Sequence, residues 1–114
     1  MPSKFKEFDE ASPTFGRLFV YDLAKCADWP VKSTHKPAPI HAPGAPPIVV
    51  IGTTRDPATP YVWAKALASQ LDSGRLISRD GDGHTGYHQG NQCVDDAVQH
   101  YLVGGTVPED NLSC

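Results

Sequence analysis

Residues 47–85 constrain the fold of this 114-residue chain most, because they combine strand, helix and strand signals within one stretch. Residues 48–51 are an unbroken run of β-branched apolar side chains, typical of a strand covered on both faces, as in a parallel sheet. Thr59 and Pro60 are typical of the cap and first residue of a helix. A second short strand is predicted at residues 75–79. The stretch therefore predicts a parallel βαβ unit, and the fold class is α/β.

Two chemically active side chains follow the two predicted strands. Asp56 comes just after the first strand and His84 just after the second, and a right-handed crossover places both strand ends at one edge of the sheet. A carboxylate there can fix the tautomer of the imidazole, so that the other ring nitrogen acts as a base. Asp56 also precedes a proline, so a turn in which its side chain caps local amides is the competing interpretation. With His84 nearby, we favour a catalytic Asp–His pair.

The glycine-rich segment around His84 allows two other interpretations. It begins like a calcium-binding loop, with Asp80 and Asp82, but the glycine and closing glutamate of such a loop are missing. His84 and His88 with one of these aspartates are a weak candidate for a transition-metal site. We favour a tight loop whose glycines present the imidazole with little steric obstruction.

Three blocks of the sequence resemble one enzyme family in order and spacing: GTTRDPATPYVWA, DGDGHTGY and GNQCVDDAVQHYLVGGTVPEDNLSC. Over residues 12–114 the chain is similar to the C-terminal part of the secreted tripeptidyl aminopeptidases and related exported serine peptidases, α/β-hydrolases close to the proline iminopeptidases. The resemblance implies that Asp56 is the acid and His84 the base of a Ser-Asp-His triad. It also implies a disulfide between Cys93 and Cys114, and it implies no cofactor.

The chain departs from that family because it has no G-x-S-x-G motif, so the nucleophile elbow is absent. In the family, the elbow and the oxyanion hole come from the N-terminal half of the domain. We therefore expect the isolated chain to be inactive and to need the N-terminal half of its parent hydrolase as a partner. The resemblance implies that the parent cleaves short peptides from a free N-terminus and is secreted or held in the cell envelope.

The sequence divides into three predicted segments. Residues 1–11 are polar and without periodicity, and we expect them to be disordered. Residues 12–46 combine a helix with a proline-rich connector and correspond, by resemblance, to the end of a cap region. Residues 47–114 are the C-terminal βαβα part of the α/β-hydrolase fold, with an incomplete sheet. The helix after Ser12 has one stripe that we expect to pack in a core, with lining of the substrate cleft as the alternative: Phe15, Leu18, Phe19, Asp22, Leu23 and Cys26.

The last predicted helix is the clearest amphipathic segment of the chain. Asn91 is a typical cap, and Gly104 with Gly105 is a typical end. Its apolar stripe is expected to cover the sheet behind His84: Val94, Ala97, Val98, Tyr101 and Leu102. We expect the tail after this helix to fray unless Cys114 tethers it.

Composition narrows the classes of partner. A net charge of -3 and a pI near 5.9 provide no basic surface for nucleic acid or anionic membranes. No apolar run reaches transmembrane length, and residues 1–10 lack the apolar core of a signal peptide. Three cysteines are too few and too widely spaced for a zinc ribbon, and Cys26 is left without an assigned partner.

Two other functions remain as alternatives to the peptidase. One is a non-catalytic interaction module that keeps Asp56 and His84 by descent, and the other is an esterase or lipase of the same fold, separable only by its substrate. The strand at residues 48–51 is expected to lack a neighbour on its far side. We therefore hypothesise that the isolated chain self-associates through this edge.

Overall fold

The computed structural model describes residues 2–26 and 29–114. These residues form two compact units, the first reaching to Pro37 and the second running from Ala38 to Cys114. No helix within the described ranges is long and apolar enough to cross a membrane.

The first unit begins with a helix, α1 (Pro2–Ala11). The prediction of an irregular segment over residues 1–11 is therefore wrong for its described part. The helix has charged pairs one turn apart, such as Lys4 Nζ and Glu7 at 2.6 Å, and the half-buried ring of Phe5 packs edge-on against Tyr21. The prediction found no apolar periodicity in these residues, and it missed a helix that both charged pairs and the contact of Phe5 with Tyr21 stabilise.

A short helix, α2 (Gly16–Val20), and a 3₁₀ helix (Tyr21–Cys26) replace the single helix predicted after Ser12. Val20 is buried, but most of the apolar stripe predicted to form a core is exposed: Phe15, Leu18, Phe19 and Leu23. The core interpretation is therefore wrong for these side chains, since so small a unit has too few neighbours to cover them. The Cys26 side chain and residues 27–28 lie outside the described part of the chain.

The second unit is built on a parallel sheet, as predicted. Strands β1 (Ile48–Arg55) and β2 (Gly74–Asp82) pair in parallel, and a short strand, β3 (Leu112–Ser113), adds to the other side of β2, also in parallel. Among the described residues, no strand pairs with the outer edge of β1. The proline-rich segment before β1 forms neither helix nor strand, as its prolines predict.

Helix α3 (Tyr61–Gln70) connects β1 to β2 and covers one face of the sheet. The core on this face contains Val50, Leu71 and Leu76, with Tyr61, Ala64 and Ala68 packed against it. Gly52 permits the close approach, because a β-carbon there would lie 2.7 Å from that of Ala64. The predicted crossover helix is therefore confirmed.

Helix α4 (Gln92–Gly104) covers the opposite face of the sheet. Its buried residues Val94 and Val98 pack on Ile77, which points away from Leu76 because successive strand residues alternate between faces. The side chain of Asn91 caps the helix, as predicted, by accepting the Val94 backbone N–H at 3.2 Å.

A disulfide joins Cys93, in the first turn of α4, to Cys114. It holds the tail beside the sheet, where the Cys114 backbone N–H donates to the Ser78 carbonyl at 2.7 Å. The Asn91 side chain donates to the Cys114 carbonyl at 2.6 Å. The tail is thus tied down at both its disulfide and its backbone, and it supplies the third strand, which the sequence did not indicate.

Candidate active site

Asp56 and His84 lie side by side at the C-terminal edge of the sheet. Asp56 directly follows β1, and His84 comes two residues after the end of β2 at Asp82. His84 Nδ1 is 2.9 Å from Asp56 Oδ2 and 3.1 Å from Oδ1. The structure therefore brings together the two residues that the sequence singled out, because parallel pairing delivers both strand ends to one edge.

The Asp56 carboxylate is buried, with only 4% of its side chain exposed, and both oxygens are hydrogen-bonded. Oδ1 accepts the backbone N–H groups of Ala58 at 2.8 Å and Thr59 at 2.9 Å. Oδ2 accepts the Thr59 hydroxyl at 3.0 Å and the Thr85 N–H at 3.3 Å. The Thr59 N–H above all, then His84, hold the pKa of Asp56 well below its usual range, against the opposing effect of burial. Asp56 thus both caps a turn and pairs with the imidazole.

An ionised Asp56 determines the tautomer of His84. A carboxylate can only accept hydrogen bonds, so Nδ1 must carry the proton of this bond, and Nε2 is the unprotonated nitrogen of the neutral ring. Within the described part of the chain, Nε2 has no hydrogen-bond partner, and about half of the side chain, 53%, is exposed. Nε2 can therefore accept a proton from a group that approaches from outside this chain.

A charged cluster ties the two strand ends together beside the pair. Arg55 Nη1 lies 2.7 Å from Asp80 and its Nε lies 2.7 Å from Asp82. The hydroxyl of Thr54 donates to Asp80 at 2.8 Å, and this bond, followed by Arg55, lowers the pKa of Asp80. The register of the ladder shifts just before the Arg55–Asp82 pair, and such bulges commonly re-aim side chains beside a site.

The loop that carries His84 is tightly wound. Four of its residues have positive φ angles: Gly83, Thr85, His88 and Gly90. Gly86 packs directly on β1, because a β-carbon there would lie 2.5 Å from Ile51 Cγ2. This loop conformation matches the tight, imidazole-presenting loop that the glycines predicted.

In the described residues, no group of three His, Cys, Asp or Glu side chains is placed to hold a metal ion.

A cavity of about 420 Å³ opens beside the pair. Its apolar lining comes from β1, α3 and the His84 loop: Val50, Ile51, Trp63, Ala64, Leu67 and Tyr87. Trp63, which is 60% exposed, has no predicted role, because it falls outside the apolar stripe that the sequence indicates for its helix. The cavity combines an apolar surface with one proton-accepting nitrogen.

Thr59 belongs to the site in a different role from the predicted one. It was predicted to cap α3, but the helix starts at Tyr61 without a side-chain cap, and the Thr59 hydroxyl donates to Asp56 instead. The D-x-x-T spacing was the available signal, since an aspartate commonly folds a turn by accepting hydrogen bonds from the residues just after it.

The low pKa of Asp56 predicts an acid-side loss of stability. A carboxyl group whose pKa is lower in the folded than in the unfolded state stabilises the fold fully above the unfolded value, about 3.9, and this contribution is lost as pH falls through the lower folded value. The free energy of unfolding, measured in urea, should fall more between pH 7 and pH 2.5 for the unsubstituted chain than for the Asp56→Asn variant. The matched control is the exposed Asp96→Asn, which should follow the unsubstituted chain. Parallel pH profiles for the chain and Asp56→Asn would contradict the prediction.

The fold and the Asp–His pair at the sheet edge define a chain of the α/β-hydrolase class. The chain belongs to the TAP-like protein family, whose match covers residues 12–114. It is 48% identical over 92 residues to serine protease Hip1 of Mycobacterium tuberculosis, covering 81% of this chain and 18% of the relative. It is 51% identical over 89 residues to carboxylesterase B of the same species, covering 78% and 17%.

The tripeptidyl aminopeptidase of Streptomyces lividans is a third relative, 34% identical over 90 residues, with 78% of this chain and 17% of the relative covered. The chain thus spans less than a fifth of the length of these curated relatives. The matched family and the parallel sheet agree on a partial α/β-hydrolase fold.

Proposed function

We propose that this chain supplies the acid and the base of a Ser-Asp-His triad in a serine peptidase, with Asp56 as the acid and His84 as the base. The observation that carries the proposal is the 2.9 Å contact between His84 Nδ1 and Asp56 Oδ2 at the C-terminal edge of a parallel sheet. The low pKa of Asp56 keeps this carboxyl ionised at neutral pH, so it can hold the imidazole with Nε2 free to act as a base.

The reaction is acyl transfer. A serine hydroxyl attacks the scissile carbonyl carbon while Nε2 of His84 takes the hydroxyl proton, and Asp56 stabilises the imidazolium without itself taking a proton. The imidazolium then protonates the departing amine as the C–N bond breaks, which leaves an acyl-enzyme. In the second half, His84 takes a proton from water, the hydroxide attacks the ester carbonyl, and the proton returns to the serine oxygen.

The serine is supplied, in this proposal, by the N-terminal half of the hydrolase. This chain contains no G-x-S-x-G motif, and no serine hydroxyl among the described side chains contacts His84. The outer edge of β1, which no strand of the described residues pairs with, and the apolar cavity beside it support docking of that half here. The isolated chain is therefore inactive.

The proposed substrates are short peptides cleaved from a free N-terminus. Similarity to the tripeptidyl aminopeptidase of Streptomyces lividans supports this choice. The disulfide between Cys93 and Cys114 supports an exported or cell-envelope location, because disulfides persist mainly in oxidising compartments.

Reconstitution tests the proposal. The chain is titrated with a polypeptide carrying the N-terminal half of the hydrolase, and cleavage of a chromogenic tripeptide anilide is measured with light scattering in parallel. We expect no activity from either part alone, self-association of the isolated chain through residues 48–51, and activity in a one-to-one complex. The matched control is a complex containing His100→Ala, which changes an exposed imidazole away from the site. A complex without anilide or ester hydrolysis would favour the non-catalytic module.

An esterase is the second candidate function, and similarity to carboxylesterase B favours it. Esters need no protonated amine as a leaving group, so the same Asp56–His84 pair serves both reactions. The reconstituted complex should be assayed with a p-nitrophenyl ester beside the anilide. Hydrolysis of the ester alone would replace the peptidase by an esterase while retaining the triad.

A further inference from the structure

Thr53 is a buried polar residue of the sheet, with only 3% of its surface exposed. It lies on β1, three residues before Asp56, and its hydroxyl donates to the backbone carbonyl of Thr85 at 2.7 Å. Thr85 directly follows His84. The hydroxyl thus connects the strand that leads to the acid with the backbone next to the base.

Thr85 has a backbone conformation that its side chain disfavours. Its φ angle is +70°, a left-handed value that is a genuine outlier for a β-branched residue. Such strain persists only where surrounding contacts enforce it, and it is concentrated at functional sites. Two bonds hold Thr85 from opposite ends of the residue: Asp56 Oδ2 accepts its N–H at 3.3 Å, and Thr53 donates to its carbonyl.

The neighbouring residue shows how close this contact is. A β-carbon on Gly86 would lie 2.5 Å from Ile51 Cγ2 and 3.6 Å from Thr53 Oγ1. The backbone after His84 is therefore pressed onto β1 at Ile51, and it lies in ordinary contact with Thr53. The loop has little freedom to adjust if the bond from the Thr53 hydroxyl is removed, except by releasing the left-handed turn at Thr85.

We propose that Thr53 is a positioning residue that locks Thr85 in its left-handed conformation and so directs the His84 imidazole at Asp56. The catalytic consequence rests on the triad proposed above, whereas the positioning itself does not. A buried hydroxyl that only filled space would be better replaced by the isosteric valine, since burying a polar group without a partner costs stability. Here the hydroxyl has one specific acceptor, and that acceptor belongs to the residue after the base.

The first test is the tautomer of His84 in this chain, read from ring ¹⁵N shifts at a pH of about 8.5, where a free imidazole is neutral. Assignment uses His84→Gln. In the unsubstituted chain and in Thr53→Ser, which keeps the hydroxyl, we expect a protonated Nδ1 and an unprotonated Nε2. In Thr53→Val we expect both shifts to move toward the average of the two tautomers. Unchanged shifts in folded Thr53→Val would overturn the proposal.

A double-mutant cycle separates positioning from packing. Glycine adopts a positive φ without the steric cost that threonine bears. The Thr85→Gly variant therefore removes the backbone strain that the bond from the Thr53 hydroxyl offsets in this proposal. We expect Thr53→Val to shift the His84 nitrogens less in the Thr85→Gly background than alone. An equal shift in both backgrounds would show that Thr53 acts through packing, and it would overturn the proposal. If Thr53→Val alone does not fold, the same comparison is made with Thr53→Ala.

Turnover provides the second readout, in the reconstituted hydrolase. A misdirected base lowers kcat by about 10- to 100-fold, the usual effect of a small misplacement of a catalytic group, with KM nearly unchanged because the Thr53 hydroxyl is engaged by the Thr85 carbonyl. Thr53→Ser should restore kcat to within about twofold of the unsubstituted hydrolase. If Thr53→Val shifts the tautomer but His84→Ala leaves turnover intact, the triad proposal fails while the positioning role stands. A rise in KM with an unchanged kcat would overturn the positioning role.

Discussion

In the proposed triad, replacing His84 by alanine should lower the kcat of the complete hydrolase by about 10⁴-fold or more, which is the usual effect of removing a triad member. Without the imidazole, no group takes the serine proton or protonates the leaving amine. Asp56→Asn has an effect of similar size for a different reason. An amide can donate to Nδ1, so the ring adopts the tautomer in which Nε2 carries a proton and cannot act as a base.

Steady-state kinetics of the reconstituted or full-length hydrolase measure this effect, with circular dichroism to check that each variant is folded. Both side chains sit at strand ends rather than in the two apolar clusters, so the fold should survive the substitutions. The matched control is His100→Ala, with turnover within about twofold of the unsubstituted protein. A His84→Ala hydrolase that kept about a tenth of normal turnover or more would contradict the triad assignment.

Removing the disulfide by Cys93→Ser with Cys114→Ser destabilises the chain by about 3 kcal/mol in the chain-entropy model. The bond closes a loop with a sequence separation of 21 residues, and it holds the carboxyl end where Cys114 donates to Ser78. Such a loss corresponds to a fall in Tm of roughly 10–20 °C for a chain of this size. Differential scanning calorimetry measures it directly.

A reductant supplies the control for this prediction. It should lower the Tm of the unsubstituted chain to nearly that of the double variant, and it should leave the double variant unchanged. If the double variant melted within about 2 °C of the unsubstituted, oxidised chain, the loop closed by Cys93 and Cys114 would contribute little and the prediction would be wrong.

The sequence predicted the second unit better than the first. In the second unit, the β-branched run at residues 48–51, the Asn91 cap and the burial of Val94 and Val98 correspond to the predictions, whereas Leu102, predicted in the same stripe, is exposed. In the first unit, the stripe with Phe15 and Leu18 predicted burial, but these side chains are exposed. Amphipathic periodicity reports which face prefers an apolar neighbour, and it cannot report whether the chain supplies one.

The amino-acid sequence by itself determined the strand–helix–strand order and the two residues, Asp56 and His84, that meet at the sheet edge. Those features depend on local signals: caps, β-branched runs, glycine-rich turns and strand ends. Only the tertiary structure decided that the tail forms β3, that Thr59 binds Asp56 rather than capping α3, and that the Thr53 hydroxyl donates to the Thr85 carbonyl. The Thr53–Thr85 bond joins residues 32 positions apart, and such a contact exists only once β1 and β2 have paired and brought their loops together.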